Sequence, residues 1–469
     1  MKIRVLSETQ IEELKRSTEH LLENVGFHVP HEGILKLVAK AGAKVDDAAG
    51  VIRLPAALLR ELLSQVPSSY SIRTVDGKEY QVGGGKQHSL AIVTDPWIID
   101  YDTQTPRRPC LEDVRKHTII AQKLDHVSAI SRMDFPVVEY GDATSSLRAL
   151  EIHLLNHTKH YFVYAGSLEG FQQWRELGSI LAGGTELSRS RLMTVAVAIV
   201  SPLTLTDINV ELLLGATANN FPVIPTICPM AGTTSPYSKD TTLLLGNAEN
   251  IFVAALTQIL SPGNPFLYLF GPSRSNMRTG HDMYYTVDKV LWKAAATELA
   301  KSYGIPVAAE CGGTMTYRYD QQNGAEGMLF MLAAQNTGSD FLNGIGSCHN
   351  ANGMSAEMML IQSAWLDAAR FMGKGISTSN LERGIEGVLN AGHGGNFLTD
   401  DLTLDLLRSG EFFENAMFDF SGGYEDAPSM LEKAHIEVEK MVCDYRSPIP
   451  ESVREDLQRY FRNIYQKME

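Results

Sequence analysis

The feature that most constrains the fold is a repeated alternation of short apolar runs with helical segments, which begins at about residue 126. Seven such runs can be read, at 126–136, 160–167, 192–202, 221–229, 265–273, 305–313 and 339–347. The helical segments that follow include 207–218, 238–259, 283–302, 322–337 and 355–372. Near-continuous apolar strands that alternate with helices are typical of a parallel sheet covered on both faces. Seven units, with room for an eighth near 375–395, favour a (β/α)8 TIM barrel over a doubly wound sheet.

The two ends of the chain do not follow this alternation. We predict a helical and β-rich cap over residues 1–120, the α/β barrel over 121–397 and a helical extension over 398–469. The extension contains amphipathic segments, so we expect it to close the barrel or to make a subunit contact, and we expect a homo-oligomer.

Charge and composition exclude several classes of partner. The formal net charge is −14, and no basic block occurs, so nucleic acid and anionic membrane surfaces are poor partners. The N-terminus lacks the apolar region of a signal peptide, and no run of 18 or more apolar residues offers a membrane span. The five cysteines are widely spaced and never form CxxC, which argues against a disulfide framework and a thiolate zinc site. We therefore expect a cytoplasmic protein.

In such a barrel, the chemistry lies at the carboxyl ends of the strands. The predicted strand ends carry several aromatic residues, among them Phe135, Tyr164 and Phe270, and few acid/base groups. For each ring taken alone, the simpler explanation is that it packs in the barrel interior. Together with strand-end carboxylates such as Glu310, the rings could instead form a box for a quaternary ammonium, because ring faces attract cations.

Two other interpretations were weighed. His153, His157 and His160 have a spacing that could present three imidazoles as metal ligands, but His160 is expected to lie past the helix end. Cys311 and Cys348 lie at strand ends, but buried cysteine usually acts as a small hydrophobe. We therefore expect neither a bound metal nor a nucleophilic cysteine.

Several segments, in their order and spacing, carry a family resemblance. They are GFHVPHEGILKLVAKAGAKVD, IIDYDTQTPRRPCLEDVRKHTIIAQKLDHV, NHTKHY, VSPLTL, ECGGTMTYRYDQQNGAEG, GSDFLNGIG and GHGGNFL. Over nearly its whole length, the chain resembles the trimethylamine methyltransferase superfamily. The resemblance is strongest to the members that lack pyrrolysine and demethylate quaternary amines such as glycine betaine.

Two departures from the family pattern matter. In the segment ECGGTMTYRYDQQNGAEG, Met315 and Tyr317 replace an aspartate and a lysine, while the rest of the pattern is kept by Asp320, Gln322, Gly324 and Glu326. Loss of a lysine and gain of a ring suit a permanently cationic ligand. The second departure is in the Gly346–Asn350 region, where the amine enzymes carry pyrrolysine and this chain has Ser347, Cys348, His349 and Asn350.

The resemblance implies methyl transfer from an amine to the Co(I) of a corrinoid (cobalamin) that a separate protein carries. A quaternary amine releases a neutral tertiary amine and needs no proton, which agrees with the few acid/base groups at the strand ends. Because the corrinoid-binding signature DxHxxG is missing, we expect no tightly bound cofactor and a cognate corrinoid protein as partner. Glycine betaine is the first substrate expected, with carnitine, proline betaine and γ-butyrobetaine as alternatives. A non-catalytic betaine-binding barrel and a barrel enzyme with a metal-bound thiolate or water remain as other classes.

These expectations define a candidate site. Tyr164, Phe270 and Tyr317, with Phe135, are predicted to contribute rings to a cation pocket near Glu310. His349, the candidate catalytic residue, and Asn350 are predicted to bind the anionic end of the substrate, because a buried carboxylate needs hydrogen-bond donors. Arg274 and Arg278 are the alternative donors.

Overall fold

Eight parallel strands, each followed by a helix, form a nearly closed barrel in the computed structural model, which describes residues 3–131, 137, 139–140, 142–422 and 427–468. The strands β1–β8 are His88–Ile92, Val127–Ser131, His160–Val163, Met193–Ala198, Val223–Thr226, Tyr268–Leu269, Val307–Glu310 and Phe341–Ile345. The helices α1–α8 that follow them are Leu111–Lys123, Asp142–Leu155, Leu168–Leu181, Asp207–Ala218, Lys239–Leu260, Val287–Ser302, Gln321–Thr337 and Ala356–Lys374. The predicted TIM-barrel architecture is confirmed.

The sheet closes between neighbours in chain order. Strand β8 pairs with β1 in parallel, with Phe341 opposite His88, and β1 pairs with β2. The two ends of the sheet, β5 and β6, meet through a parallel bridge between Val223 and Phe266. The barrel therefore begins with β1.

The position predicted for the eighth strand is wrong. The segment near 375–395 contains the helix Leu381–Ala391 instead, and β1, which completes the barrel, lies inside the region predicted as the N-terminal cap. The reason is visible in the sequence, because apolar residues of the 381–391 segment recur at helical spacing. Strand β1 is only five residues long, follows a glycine-rich turn and resembles the short strands before it.

A hairpin fills one end of the barrel interior. It pairs Ser69–Arg73 with Glu79–Gly83 in antiparallel register. Tyr70, Ile72 and Val82 of this hairpin share a hydrophobic cluster with residues of the barrel strands. The main chain of the hairpin also meets the starts of the strands, because the His88 ring contacts the Gln81 carbonyl at 2.8 Å. The amino ends of the strands are thereby covered, which leaves the carboxyl ends for a site.

Further helices precede and follow the barrel in the chain, and several of them pack on its helices. The N-terminal ones are Glu8–Asn24, Glu32–Lys40 and Ala56–Leu63, and the C-terminal ones are Leu381–Ala391, Asp401–Leu406, Met430–Cys443 and Glu451–Met468. Asn247 of α5 donates a hydrogen bond to Thr18 at 2.8 Å. The C-terminal helix Met430–Cys443 contributes a 2.9 Å ion pair between Glu439 and Lys116 of α1.

Helix α5 is apolar and long enough to cross a membrane by composition alone, but 83% of its most apolar window is buried inside the protein. It is a core helix of the barrel. Short strands on the loops form two small sheets. One sheet joins Met230–Ala231, Ser273–Ser275 and Asp282–Met283. The other joins Trp97–Ile99, Pro106–Arg107, Ser347–Cys348 and Gly353–Met354. They order the loops at the carboxyl ends of the strands.

Candidate active site

A cavity of about 350 Å³ opens at the carboxyl ends of the barrel strands. Four aromatic side chains line it, namely Phe162, Tyr164, Tyr284 and Tyr285, and so do two carboxylates, Asp95 and Glu310. Within the described part of the chain, no lysine, arginine or histidine lines this cavity. An apolar, ring-lined cavity with a few polar groups at this end of a TIM barrel is the usual form of a small-molecule site.

One wall of the cavity is built on Glu310, the last residue of β7. Its carboxylate is 2.9 Å from the ammonium of Lys289 and 2.9 Å from that of Lys293, both of which project from α6. The Tyr284 hydroxyl donates a hydrogen bond to the same carboxylate, and the Lys293 ammonium also donates to the Phe270 carbonyl. The positive charges of Lys289 and Lys293, which do not line the cavity, therefore balance the negative charge of Glu310.

The pKa values in this cluster reflect the pairing. Burial acts to raise the pKa of Glu310, but Lys289, Lys293 and the Tyr284 hydroxyl outweigh it and hold that pKa at about 2. Burial lowers the pKa of Lys289 to about 7, although Glu310 acts in the opposite direction. The Lys289 side chain is 0% exposed and its ammonium lies over the Tyr284 ring, 2.7 Å from the centroid. Glu310 is therefore ionised at neutral pH and held in a fixed position.

A second wall, two strands along the sheet from β7, carries Asp95, three residues after the end of β1. This residue is 3% exposed. Burial raises the pKa of its carboxyl group to about 8. Asp95 and Glu310 thus line the same cavity in opposite electrostatic conditions.

Asn350 holds the loop that carries the two tyrosines. Its side-chain oxygen accepts hydrogen bonds from the main-chain N–H groups of Tyr284 at 2.7 Å and Tyr285 at 3.4 Å. Its side-chain nitrogen donates to the Asp282 carbonyl at 2.7 Å. Because its amide is used in this way, Asn350 acts on the cavity through the tyrosine loop.

The backbone beside Asn350 is strained. His349, Asn350 and Ala351 have φ values of 49°, 55° and 60°, so three consecutive residues with side chains adopt the left-handed region. The main-chain N–H groups of His349 and Asn350 donate to the carbonyls of Thr316 and Thr314. Such strain is concentrated at functional sites, where the surrounding structure maintains it. Ala351, at the end of this turn, lines the cavity.

The predicted site residues are only partly brought together. Tyr164 and Glu310 line the cavity, as expected of pocket residues. Phe270 lies in the core, where its ring packs on Gly246 of α5 so closely that a Cβ there would be 2.0 Å from a ring carbon. Phe135 lies outside the residues that the structure describes. Among the described residues, Tyr164 is therefore the predicted ring that lines the cavity.

Tyr317 and His349 lie together, next to the strained turn. Their rings meet edge to face with centroids 5.4 Å apart. Neither is among the residues that line the cavity. Burial lowers the pKa of His349, so the ring is neutral near pH 7 and offers a hydrogen bond rather than a positive charge.

The other candidates are held elsewhere. Arg274 forms an ion pair with Asp288 at 3.2 Å, and Arg278 is exposed. The Nε2 atoms of His153 and His157 are 3.1 Å apart, whereas His160 begins β3 and contacts the Thr194 hydroxyl. Among the residues described, no group of three or more His, Cys, Asp and Glu side chains is arranged to hold a metal ion.

Sequence reasoning missed several cavity residues, of which Asp95, Tyr284 and Tyr285 matter most. Asp95 was missed because β1 was assigned to the cap, so the dipeptide Thr94-Asp95 was not seen as a strand end. The two tyrosines precede α6 on a loop, and the only available signal was the position of that loop after the sixth barrel strand.

Comparisons with known proteins give matches over nearly the whole chain. The family model for trimethylamine methyltransferase (MTTB) matches residues 1–468. The chain is 25% identical over 458 residues to a glycine betaine methyltransferase of Desulfitobacterium hafniense (strain Y51), an alignment that covers 95% of this chain and 94% of that one. It is 23% identical to the trimethylamine methyltransferase MttB of D. hafniense (strain DSM 10664 / DCB-2), covering 95% and 93%.

Two further similarities extend this picture. A proline betaine:corrinoid methyltransferase of Eubacterium limosum is 21% identical, with 97% of this chain and 96% of that one covered. In fold, the chain is similar to the Methanosarcina barkeri monomethylamine methyltransferase (MtmB), with a TM-score of 0.53 and 12% identity over 98% of this chain and 88% of that chain.

Proposed function

Because the chain belongs to the trimethylamine methyltransferase family and is a methyltransferase, we propose that it transfers a methyl group from a quaternary amine to a Co(I) corrinoid carried by a partner protein. The observation that carries this proposal is the cavity at the barrel mouth, with its four aromatic side chains, its two carboxylates and no described basic residue in its lining. Ring faces and carboxylates attract a cation that cannot donate hydrogen bonds.

The reaction requires little acid/base chemistry from the protein. Co(I) attacks a methyl carbon, the carbon–nitrogen bond breaks, and its electron pair leaves with a neutral tertiary amine, so no proton is transferred. The residues of the cavity then have to bind the ammonium, exclude water and orient one methyl group toward the mouth. The Glu310 cluster suits such a role because its carboxylate is held by two lysines and a tyrosine.

Glycine betaine is the first substrate to test, since the relative at 25% identity is named for it. Carnitine, proline betaine and γ-butyrobetaine are the alternatives. The carboxylate of a betaine needs donors, and the lining of the cavity supplies neutral ones, including Ser131, Thr226 and Asn343. We propose that His349, as a neutral ring next to Tyr317, adds a donor at the mouth.

We propose that the corrinoid belongs to a partner protein and that this chain binds none tightly, since the relative from E. limosum is named a corrinoid methyltransferase and DxHxxG is absent from this sequence. Co(I) survives only under reducing conditions, which agrees with a cytoplasmic protein whose five cysteines are free. An encounter of this kind is expected to be transient, with a small interface.

The proposal is tested by incubating the purified protein with Co(I) cobalamin and each of the four betaines, with trimethylamine as a matched tertiary amine. The expected result is conversion of the Co(I) spectrum to that of methyl-Co(III) with at least one betaine, and none with trimethylamine. Methylation by trimethylamine alone, or by no compound in the panel, would contradict it.

A further inference from the structure

We propose that Asp95 supplies the negative charge that recognises the quaternary ammonium of the substrate in the barrel cavity. The inference rests on the function proposed above and deepens it by naming the residue that distinguishes a cationic amine from a neutral molecule of the same shape.

The geometry of Asp95 separates it from an ordinary buried carboxylate. It lines the cavity and is 3% exposed. No residue in the described ranges donates a hydrogen bond to its carboxylate or forms an ion pair with it. Buried carboxylates are normally paired, because an isolated ionised group in an apolar environment is costly. A cation from outside the chain would therefore pair with the Asp95 carboxylate.

Glu310 cannot take the same role, although it lines the same cavity. Its charge is already balanced by Lys289 and Lys293, each 2.9 Å away. A cation that approached Glu310 would also meet the positive charge behind it. Among the described residues, none places a cation beside Asp95, and the rings of Phe162, Tyr164 and Tyr285 belong to the same cavity. An ammonium beside Asp95 would therefore meet both a carboxylate and ring faces.

Titration of Asp95 makes the inference measurable. Burial, with a smaller contribution from the Asp95 charge, raises the pKa of Tyr285 and Cys348, so both are neutral near pH 7. Burial raises the pKa of Asp95 itself to about 8. A permanent cation would favour the ionised form and lower that pKa, so binding would release a proton.

The affinity for the cation should therefore rise with pH. Below pH 8 the free protein must lose a proton before it binds the cation, so affinity rises with pH and levels off above about pH 8. With a free-state pKa of about 8, the affinity at pH 7 is about tenfold lower than at pH 9. Lys289, with a pKa of about 7, titrates in the same range behind the Glu310 wall. A variant that keeps Lys289 and changes Asp95 separates the two groups.

The experiment is calorimetric titration of the full chain from pH 6 to pH 9. The probes are the four betaines and tetramethylammonium, which carries the ammonium without a carboxylate. Asp95→Asn keeps the shape of the side chain and removes its charge. Asp340→Asn is the matched control, since Asp340 is buried at the amino end of β8, where it accepts a hydrogen bond from the Val307 N–H at 2.9 Å.

At pH 9 we expect Asp95→Asn to bind the probe at least about tenfold more weakly than the wild type, with a difference that closes toward pH 6. Asp340→Asn should follow the wild-type curve. Circular dichroism checks that each variant is folded, and Asp95→Ser repeats the test if Asp95→Asn is not.

The outcomes separate this inference from the proposed function. If wild-type protein binds a betaine and Asp95→Asn binds it equally well at pH 9, Asp95 is not the recognising charge and the proposed function stands. If wild-type protein neither binds nor demethylates any quaternary amine in the panel, the proposed function fails first.

Discussion

The two walls of the barrel cavity carry the same functional group in opposite surroundings. On the β7 side, Glu310 is balanced by two buried lysines and a tyrosine hydroxyl, and its pKa is held at about 2. On the β1 side, burial raises the pKa of Asp95 to about 8, and the described residues provide no ion pair for it. The comparison teaches that a carboxylate in a site is informative through its partners, because a balanced charge supports structure and an unbalanced one attracts a ligand.

The largest effect is expected from Glu310→Gln. Removing this charge leaves the two lysines of α6 buried without an anion, and breaking a buried pair in this way costs about 3 kcal/mol or more. Urea denaturation should show that loss in the free energy of unfolding. In the Glu310→Gln background, Lys293→Met should recover part of it, since one unpaired ammonium is removed. Equal stability of Glu310→Gln and wild type would remove the distinction between the walls.

A smaller effect is expected from Asn350→Ala, which frees the loop that carries Tyr284 and Tyr285. Three hydrogen bonds are lost, so the variant should be less stable by about 2 kcal/mol. Its KM for the amine should rise more than its kcat falls, because the tyrosines shape the cavity without reacting. Asn350→Asp, which keeps the acceptor for the two N–H groups, should restore part of the affinity. A change confined to kcat would argue against a positioning role.

The aromatic lining is tested by a pair of variants, one of a tyrosine that lines the cavity and one of a tyrosine that does not. Tyr164→Ala removes a ring from the cavity and should raise the dissociation constant of the bound betaine by roughly tenfold, since a cation over a desolvated ring gains up to about 2 kcal/mol. Tyr317→Ala, which removes a ring that packs on His349, should change it by less than about twofold. The opposite order would restore Tyr317 to the pocket, where the sequence pattern predicts it.

The last effect concerns the stability of the protein rather than binding. Because the pKa of Asp95 is raised on folding, its protonated form favours the folded state, and that contribution is lost as pH rises toward 8. Asp95→Asn should therefore melt at least about 2 °C above the ligand-free wild type at pH 8, with no difference near pH 4. Scanning calorimetry at the two pH values measures this. A variant that is less stable at pH 8 would mean that the Asp95 carboxylate is already paired.

Much of the barrel could be predicted from the sequence. The helices α4 to α8 lie within a few residues of the predicted segments, since apolar periodicity identifies long elements well. Strand β1 could not be assigned from the sequence. It has only five residues and the next helix begins at Leu111, so the strand–helix alternation typical of the barrel is too weak there.

The site was less predictable for a related reason. Tyr164 and Glu310 directly follow or end strands, so their position in the cavity follows from the fold. Phe270 also follows a strand, but its ring turns outward to Gly246, and strand-end position alone does not fix that direction. Glu310 pairs with lysines four residues apart on α6, whereas the described residues give Asp95 no such pair. Both facts depend on tertiary contacts that no local pattern shows.

The most direct test of the difference between the two walls is a crystal structure with tetramethylammonium or a bound betaine. We expect the quaternary nitrogen about 4–6 Å from the Asp95 carboxylate, within reach of its charge, with Glu310 still paired to Lys289 and Lys293. An ammonium seated against Glu310, with one of the lysines displaced and Asp95 bound to another residue of the chain, would contradict it.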